Sequence, residues 1–313
     1  MTFERIYKMQ MKCHGTNGGW VKSAQNPVLG GDLGICFDIA MLREGQFFKM
    51  VFSWRDRKSL ALSESRDGIH WSEPVICLAP RATAQGWEDD LNRPSIVKRG
   101  ETYHLWYTGQ FKPGQADGTS HIFHAVSRDG VRFERTGEKP VVFPELPWEK
   151  SAVMCPSVVW DEAAQIYRMW YSGGEQYEPN AIGYAESRDG LAWEKHPGNP
   201  VFQADPTSPW EQHKAAGCQV FPHDGWYWMF YIGYHDEDYA QIGIARSRDG
   251  VTGWERSKLN PVIAPDEGAW DGEACYKPFV LPFGGGWMLW YNGRRGHKEQ
   301  IGLAVHAGAT LDF

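Results

Sequence analysis

The tetrapeptide Ser-Arg-Asp-Gly occurs four times, starting at Ser65, Ser127, Ser187 and Ser247, at spacings of 62, 60 and 60 residues. An aromatic residue follows each copy: Trp71, Phe133, Trp193 and Trp254. Repetition at a fixed period constrains the fold more than any local propensity, because every copy must be one supersecondary unit. More of the unit repeats around these turns. Just upstream lie strand-like runs such as Ile182-Gly183-Tyr184-Ala185 and Ile242-Gly243-Ile244-Ala245. Aromatic-rich runs precede those, over 103–109, 167–173, 227–233 and 287–293, with 48–54 the weakest copy. Earlier still come short runs such as Pro94-Ser95-Ile96-Val97, and downstream come Asn199-Pro200-Val201 and Asn260-Pro261-Val262. The reading is four short strands per unit, with Gly, Pro, Asn and Asp at the joints.

Such units repeated around an axis predict an all-β fold, the β-propeller. A fifth unit contains Ile301-Gly302-Leu303-Ala304 but no Asn-Pro-Val strand after it. Its missing strand is found at the other end, where Trp20 to Pro27 matches Trp193 to Pro200 with Trp, Asn and Pro in register. The expectation is a single domain over residues 1–313, a five-bladed propeller whose N-terminal strand completes the last blade. Closure of that kind removes sheet edges.

Composition narrows the function. A net charge of −7 offers no basic excess for a nucleic-acid backbone. No run approaches the roughly 18 apolar residues of a membrane helix, and the first residues lack the basic-then-apolar pattern of a secretory signal. A cytoplasmic protein is expected. Six cysteines without a Cys-x-x-Cys pair predict neither a thiolate metal site nor, in that compartment, a disulfide framework. No Gly-rich phosphate loop appears, so no cofactor is expected.

Features present in every unit belong to scaffold. The Asp of each Ser-Arg-Asp-Gly can bond the backbone two residues on, and the Gly supplies the positive φ of a tight turn. The acids that follow a Trp in four units, Glu88, Glu149, Glu211 and Asp271, are scaffold by the same logic. A propeller's site is expected where equivalent positions differ, in the segments entering each innermost strand. The residue before the strand proline is Arg93, Cys155 and Lys277 in three units, with Gly217 and Phe37 as counterparts in the others. Two cations there predict a channel that meets an anion or balances carboxylates. The acids at its mouth are Asp32, Asp38, Asp89, Asp90 and Glu273, with His213 and Lys214 nearby. The inner-strand cysteines Cys36, Cys155, Cys218 and Cys275 read as small core filling.

Pro94-Ser95-Ile96-Val97, the run Tyr167 to Gly173, Ile182 to Ala185 with its Ser-Arg-Asp-Gly, and Gly198-Asn199-Pro200-Val201 together resemble the five-bladed propeller glycosidases. That superfamily includes xylosidase- and arabinanase-like, fructosidase-like and mannoside-phosphorylase-like enzymes. The resemblance implies three inner-strand acids: a base or nucleophile, a proton donor, and a carboxylate that tunes the donor. In the xylosidase-like branch an acid directly precedes an inner-strand Pro-Ser, where this chain has Arg93 and Cys155. Glycoside cleavage needs two carboxyls flanking the bond, one protonated and one ionised. The expected catalytic set is Asp32, Asp90 and Glu273, with Glu273 as donor and Asp32 or Asp90 as base. Asp90 rather than Asp89 should face inward, because strand side chains alternate. Asp89, Arg93, His213, Lys214, Tyr276 and Lys277 are expected to bind a carbohydrate substrate. Two alternatives stand beside hydrolysis: a phosphorylase or glycosyl-transferring relative that uses the basic residues, and a non-catalytic sugar-binding propeller.

Overall fold

The computed structural model describes residues 15–81, 86–177 and 179–313. It is built almost wholly of strands. They are β1 (Trp20–Lys22), β2 (Cys36–Glu44), β3 (Phe47–Trp54), β4 (Ser59–Ser65), β5 (Val75–Leu78), β6 (Asp90–Arg99), β7 (Thr102–Phe111), β8 (Thr119–Ser127), β9 (Glu134–Arg135), β10 (Ala152–Asp161) and β11 (Ile166–Gly174). The remainder are β12 (Pro179–Ser187), β13 (Glu194–Lys195), β14 (Phe202–Gln203), β15 (Lys214–His223), β16 (Trp226–Tyr234), β17 (Ala240–Ser247), β18 (Glu255–Arg256), β19 (Ala274–Phe283), β20 (Gly286–Arg295) and β21 (Lys298–His306).

Consecutive strands pair antiparallel as β2-β3-β4-β5, β6-β7-β8-β9, β10-β11-β12-β13, β15-β16-β17-β18 and β19-β20-β21, with β14 also on β12. The outer strand on β21 is β1, in the register Trp20↔His306 and Lys22↔Ala304. Single parallel pairs, Ser120↔Ala152 and Ala240↔Ala274, join neighbouring units. The innermost strands touch in the order β2, β6, β10, β15, β19 and back to β2.

The repeated residues explain why each unit looks alike. In the first turn, the Ser65 hydroxyl accepts from Gly68 N–H at 2.8 Å, and Asp67 accepts from the N–H groups of Ile69 and His70 at 2.9 Å. The same bonds recur at Asp129, Asp189 and Asp249. The aromatic strands then clamp the next unit's turn. Trp106 donates to Gly190 O, Trp170 to Gly250 O, and Trp290, near the end of the chain, to Gly68 O of the first unit. Gly68 has φ +76°, and a Cβ there would meet Trp290 at 2.6 Å, so the turn needs glycine on both counts.

The buried acids after each Trp form a second repeated device. Tyr107, Tyr171, Tyr231 and Tyr291 donate their hydroxyls to Glu88, Glu149, Glu211 and Asp271. A cation from the unit's outer strand neutralises each: Arg135, Lys195, Arg256 and, in the last unit, Lys22 of β1. A buried carboxylate needs such a partner. Asn26 likewise bonds Leu303 N–H and O as Asn199 bonds Tyr184.

Candidate functional site

Each innermost strand breaks its ladder once, at a β-bulge next to Asp38, Arg93, Cys155, Gly217 or Lys277. All five residues adopt left-handed backbone, with φ of 53°, 53°, 55°, 41° and 49°. For the four that are not glycine this conformation costs about 1–3 kcal/mol each, and a bulge re-aims the side chain it carries. All five line one cavity of about 150 Å³. The preceding unit holds four of them. Ser53 Oγ, Thr108 Oγ1, Ser172 Oγ and Asn292 Oδ1 accept from the N–H of Arg93, Cys155, Gly217 and Asp38, at 2.8–3.2 Å. The fifth counterpart is Ile232, opposite Lys277, which has no such group.

This geometry corrects one alignment. The first unit's counterpart of Arg93 is Asp38, not Phe37, because that strand lacks the proline that marks the register after Arg93, Cys155 and Lys277. The cysteines also divide. Cys155 occupies a bulge, whereas Cys36 and Cys275 lie two residues before theirs and fill core.

Three guanidiniums in the cavity face acids. Arg93 Nε lies 3.9 Å from Asp38 Oδ2, Arg55 Nη2 lies 3.6 Å from Glu299 Oε2, and Arg294 Nη2 lies 3.4 Å from Asp238 Oδ1. Asp38 is only 2% exposed, and its Oδ2 has no hydrogen-bond partner among the described residues. Burial pushes the Glu299 carboxyl above its ordinary range. Arg55 opposes this and Asp38 adds to it. Tyr177, Tyr234 and Tyr276 complete the polar wall.

The residues singled out from sequence separate into two groups. Arg93, Tyr276 and Lys277 line the cavity. Asp90 is buried beside it, with its carboxyl pushed up by burial against the pull of Arg55, Arg93 and Lys58. Asp89, its neighbour, is exposed and accepts from Lys112 N–H, as strand alternation requires. Asp32 is exposed in a short 3-10 turn, Gly31–Leu33, outside the lining. Glu273 is also exposed, accepting from Gly296 N–H with Arg294 at 3.9 Å. His213 faces a separate surface hollow with His235 and Asp236. Lys214 is buried with its ammonium 4.4 Å from the Tyr234 ring centroid. Among the described residues no cluster of His, Cys, Asp and Glu is arranged to hold a metal. Among the described residues no helix is long and apolar enough to cross a membrane.

Sequence reasoning passed over Arg55, Arg294 and Glu299. Glu299 was findable by the rule that selected the others. It pairs with Arg294 where the equivalent pairs are Ser120 with Gln110 and Ala240 with Tyr234. An acid thus replaces small residues at the start of a third strand, away from the segments that enter the inner strands.

The model of glycosyl hydrolases family 43 matches residues 24–307. The chain belongs to this family. An uncharacterized protein of Mycobacterium tuberculosis, Rv1502, is 30% identical over 281 residues, covering 84% of this chain and 89% of that one. Among solved structures, one described as a glycoside hydrolase superposes with TM-score 0.71 at 17% identity, covering 100% of this chain and 99% of that one. Another comes from work on the GH130 family of mannoside phosphorylases, which contains glycoside hydrolases that target β-1,2 mannosidic linkages in Candida mannan. It gives TM-score 0.74 at 16% identity, covering 97% of this chain and 99% of that one. The family 43 chain described here is therefore a carbohydrate-active enzyme of the propeller-fold group.

Proposed function

We propose that this family 43 protein cleaves a glycosidic bond in the central cavity, with Asp38 as the ionised base or nucleophile and Glu299 as the proton donor. The observation that carries this reading is two carboxyls in one cavity with different surroundings, Asp38 buried and Glu299 partly exposed. Asp38 faces Arg93, while Glu299 is raised by burial and by Asp38 itself. A carboxyl made less acidic by burial and by a neighbouring carboxylate is what the proton donor of glycoside cleavage requires. Asp90, buried beside the same two guanidiniums, is proposed to fix their positions. Asp32 and Glu273, on the surface, are given no catalytic role in this reading. Tyr276 and Tyr177 offer faces against which a sugar ring stacks.

The same proposal includes a ring of five blades closed by β1. It is supported by the circuit of inner-strand contacts, the Asn292 bond to Asp38 and the Trp290 bond to Gly68.

The test is a panel of aryl glycosides assayed with purified protein, with and without phosphate. Asp38→Asn and Glu299→Gln should each lower kcat by about 10²–10⁴. Glu299→Gln should recover on substrates with acidic leaving groups, which need no proton, while Asp38→Asn should not. Wild-type turnover in either variant would discard the assignment.

A further inference from the structure

Arg55, Arg93 and Arg294 each have an acid within 4 Å, but Lys277 has none among the described residues. Its residue is 8% exposed, it lines the cavity, and no hydrogen bond or ion pair to it occurs among the described residues. Its stem packs so closely on the preceding inner strand, β15, that a Cβ on Gly217 would lie 3.0 Å from Lys277 Cδ. The stem is thus held by packing on left-handed backbone, and the cavity wall it shares includes Ala216, Gly217, Ile232 and Cys155. A cation on a largely buried side chain without a counter-charge is costly, and a methionine would fill the same space without that penalty.

We infer that Lys277 is the anchor of an oxyanion subsite in the cavity, so that the ligand taken there carries a carboxylate or is accompanied by phosphate. The sources of that oxyanion are an acidic sugar unit and free phosphate. The sugar part rests on the glycosidase reading, but the anchor does not, because binding is measured without turnover. Arg93 does not compete for the role, since Asp38 already faces it.

The experiment is thermal shift and calorimetry on the full chain with glucuronate, galacturonate, inorganic phosphate and the neutral sugars xylose and glucose, at matched ionic strength. At least one anion should raise Tm by about 4 °C at a hundredfold excess over its Kd. Lys277→Met should weaken that anion at least about tenfold while leaving the unliganded Tm unchanged or higher. Loss of a uronate response identifies an acidic sugar, and loss of a phosphate response identifies phosphate. Should the Met variant not fold, wild-type protein must bind glucuronate, or phosphate, at least about tenfold more tightly than the uncharged glucuronamide. Absence of anion binding, or anion binding undiminished by Lys277→Met, overturns the inference. Turnover of neutral glycosides in that case would leave the glycosidase reading intact.

Discussion

Lys22→Met tests whether the N-terminal strand is a working part of the last unit. The Lys22 side chain is 3% exposed, and its ammonium lies 2.8 Å from both Asp271 and Asp266, with Ala264 O at 2.6 Å. Asp271 is fully buried, and its Oδ1 already lacks a partner among the described residues. Removing one member of a buried ion pair costs about 3–5 kcal/mol, because the remaining charge stays buried and uncompensated. With an unfolding entropy of roughly 2.1 cal/mol/K per residue, a chain of 313 residues should lose about 5–8 °C in Tm. Lys195→Met supplies the comparison, since Lys195 meets buried Glu149 at the same 2.8 Å. Differential scanning calorimetry of both variants should give losses of similar size. Adding Asp271→Asn to Lys22→Met should restore most of the loss, because the orphaned charge is then gone. A Lys22→Met protein that melts within about 1 °C of wild type, beside a destabilised Lys195→Met, would show that β1 is not the outer strand of that unit.

Other outcomes follow from the same structure. Deleting residues 1–30 should expose the β21 edge and give aggregation on heating, read by light scattering, whereas a truncation that melts like the full chain would sink ring closure. Gly68→Ala, strained at φ +76° and pressed on Trp290, should cost about 1–3 kcal/mol, or roughly 2–5 °C in Tm. The kcat/KM profile of the proposed glycosidase should fall on its alkaline side as Glu299 loses its proton, at a pH above the ordinary carboxylate range because that carboxyl is raised. Glu299→Gln should abolish that limb. On the acid side, the N–H groups of Arg132 and Val131 hold Asp129 down at about 2. A depressed carboxyl contributes stability above its unfolded value, near about 4, and loses it as pH falls towards 2. Asp129→Asn should therefore flatten part of the acid-unfolding curve followed by circular dichroism.

The repeat alone determined the strands, their order and the scaffold residues. Ser65 and Asp67 of each turn, and the Trp20 to Pro27 match with Trp193 to Pro200, were legible because those roles are local or periodic. A hydroxyl capping its own turn, or an Asn bonding the adjacent strand, needs the same residue at the same offset in every copy. The acids after each Trp were legible as scaffold for that reason, although their neutralising cations were not recognised. Arg93 and Lys277 could be singled out because they break the repeat just before the strand proline, and Asp90 because strand alternation turns it inward where Asp89 turns outward.

Only the tertiary structure decided which departures from the repeat meet. Asp32 and Glu273 also break the pattern, yet a 3-10 turn and a solvent-facing loop carry them to the surface. Glu299 and Arg55 come from the third strand of one unit and the turn after the second strand of another, far apart in sequence, and they face each other across the cavity. Asp38 rather than Phe37 is the counterpart of Arg93 because a bulge moves the strand's facing by one residue, and side-chain facing alternates at every residue. Convergence at the axis depends on how the units pack around it, and no single unit's sequence contains that information.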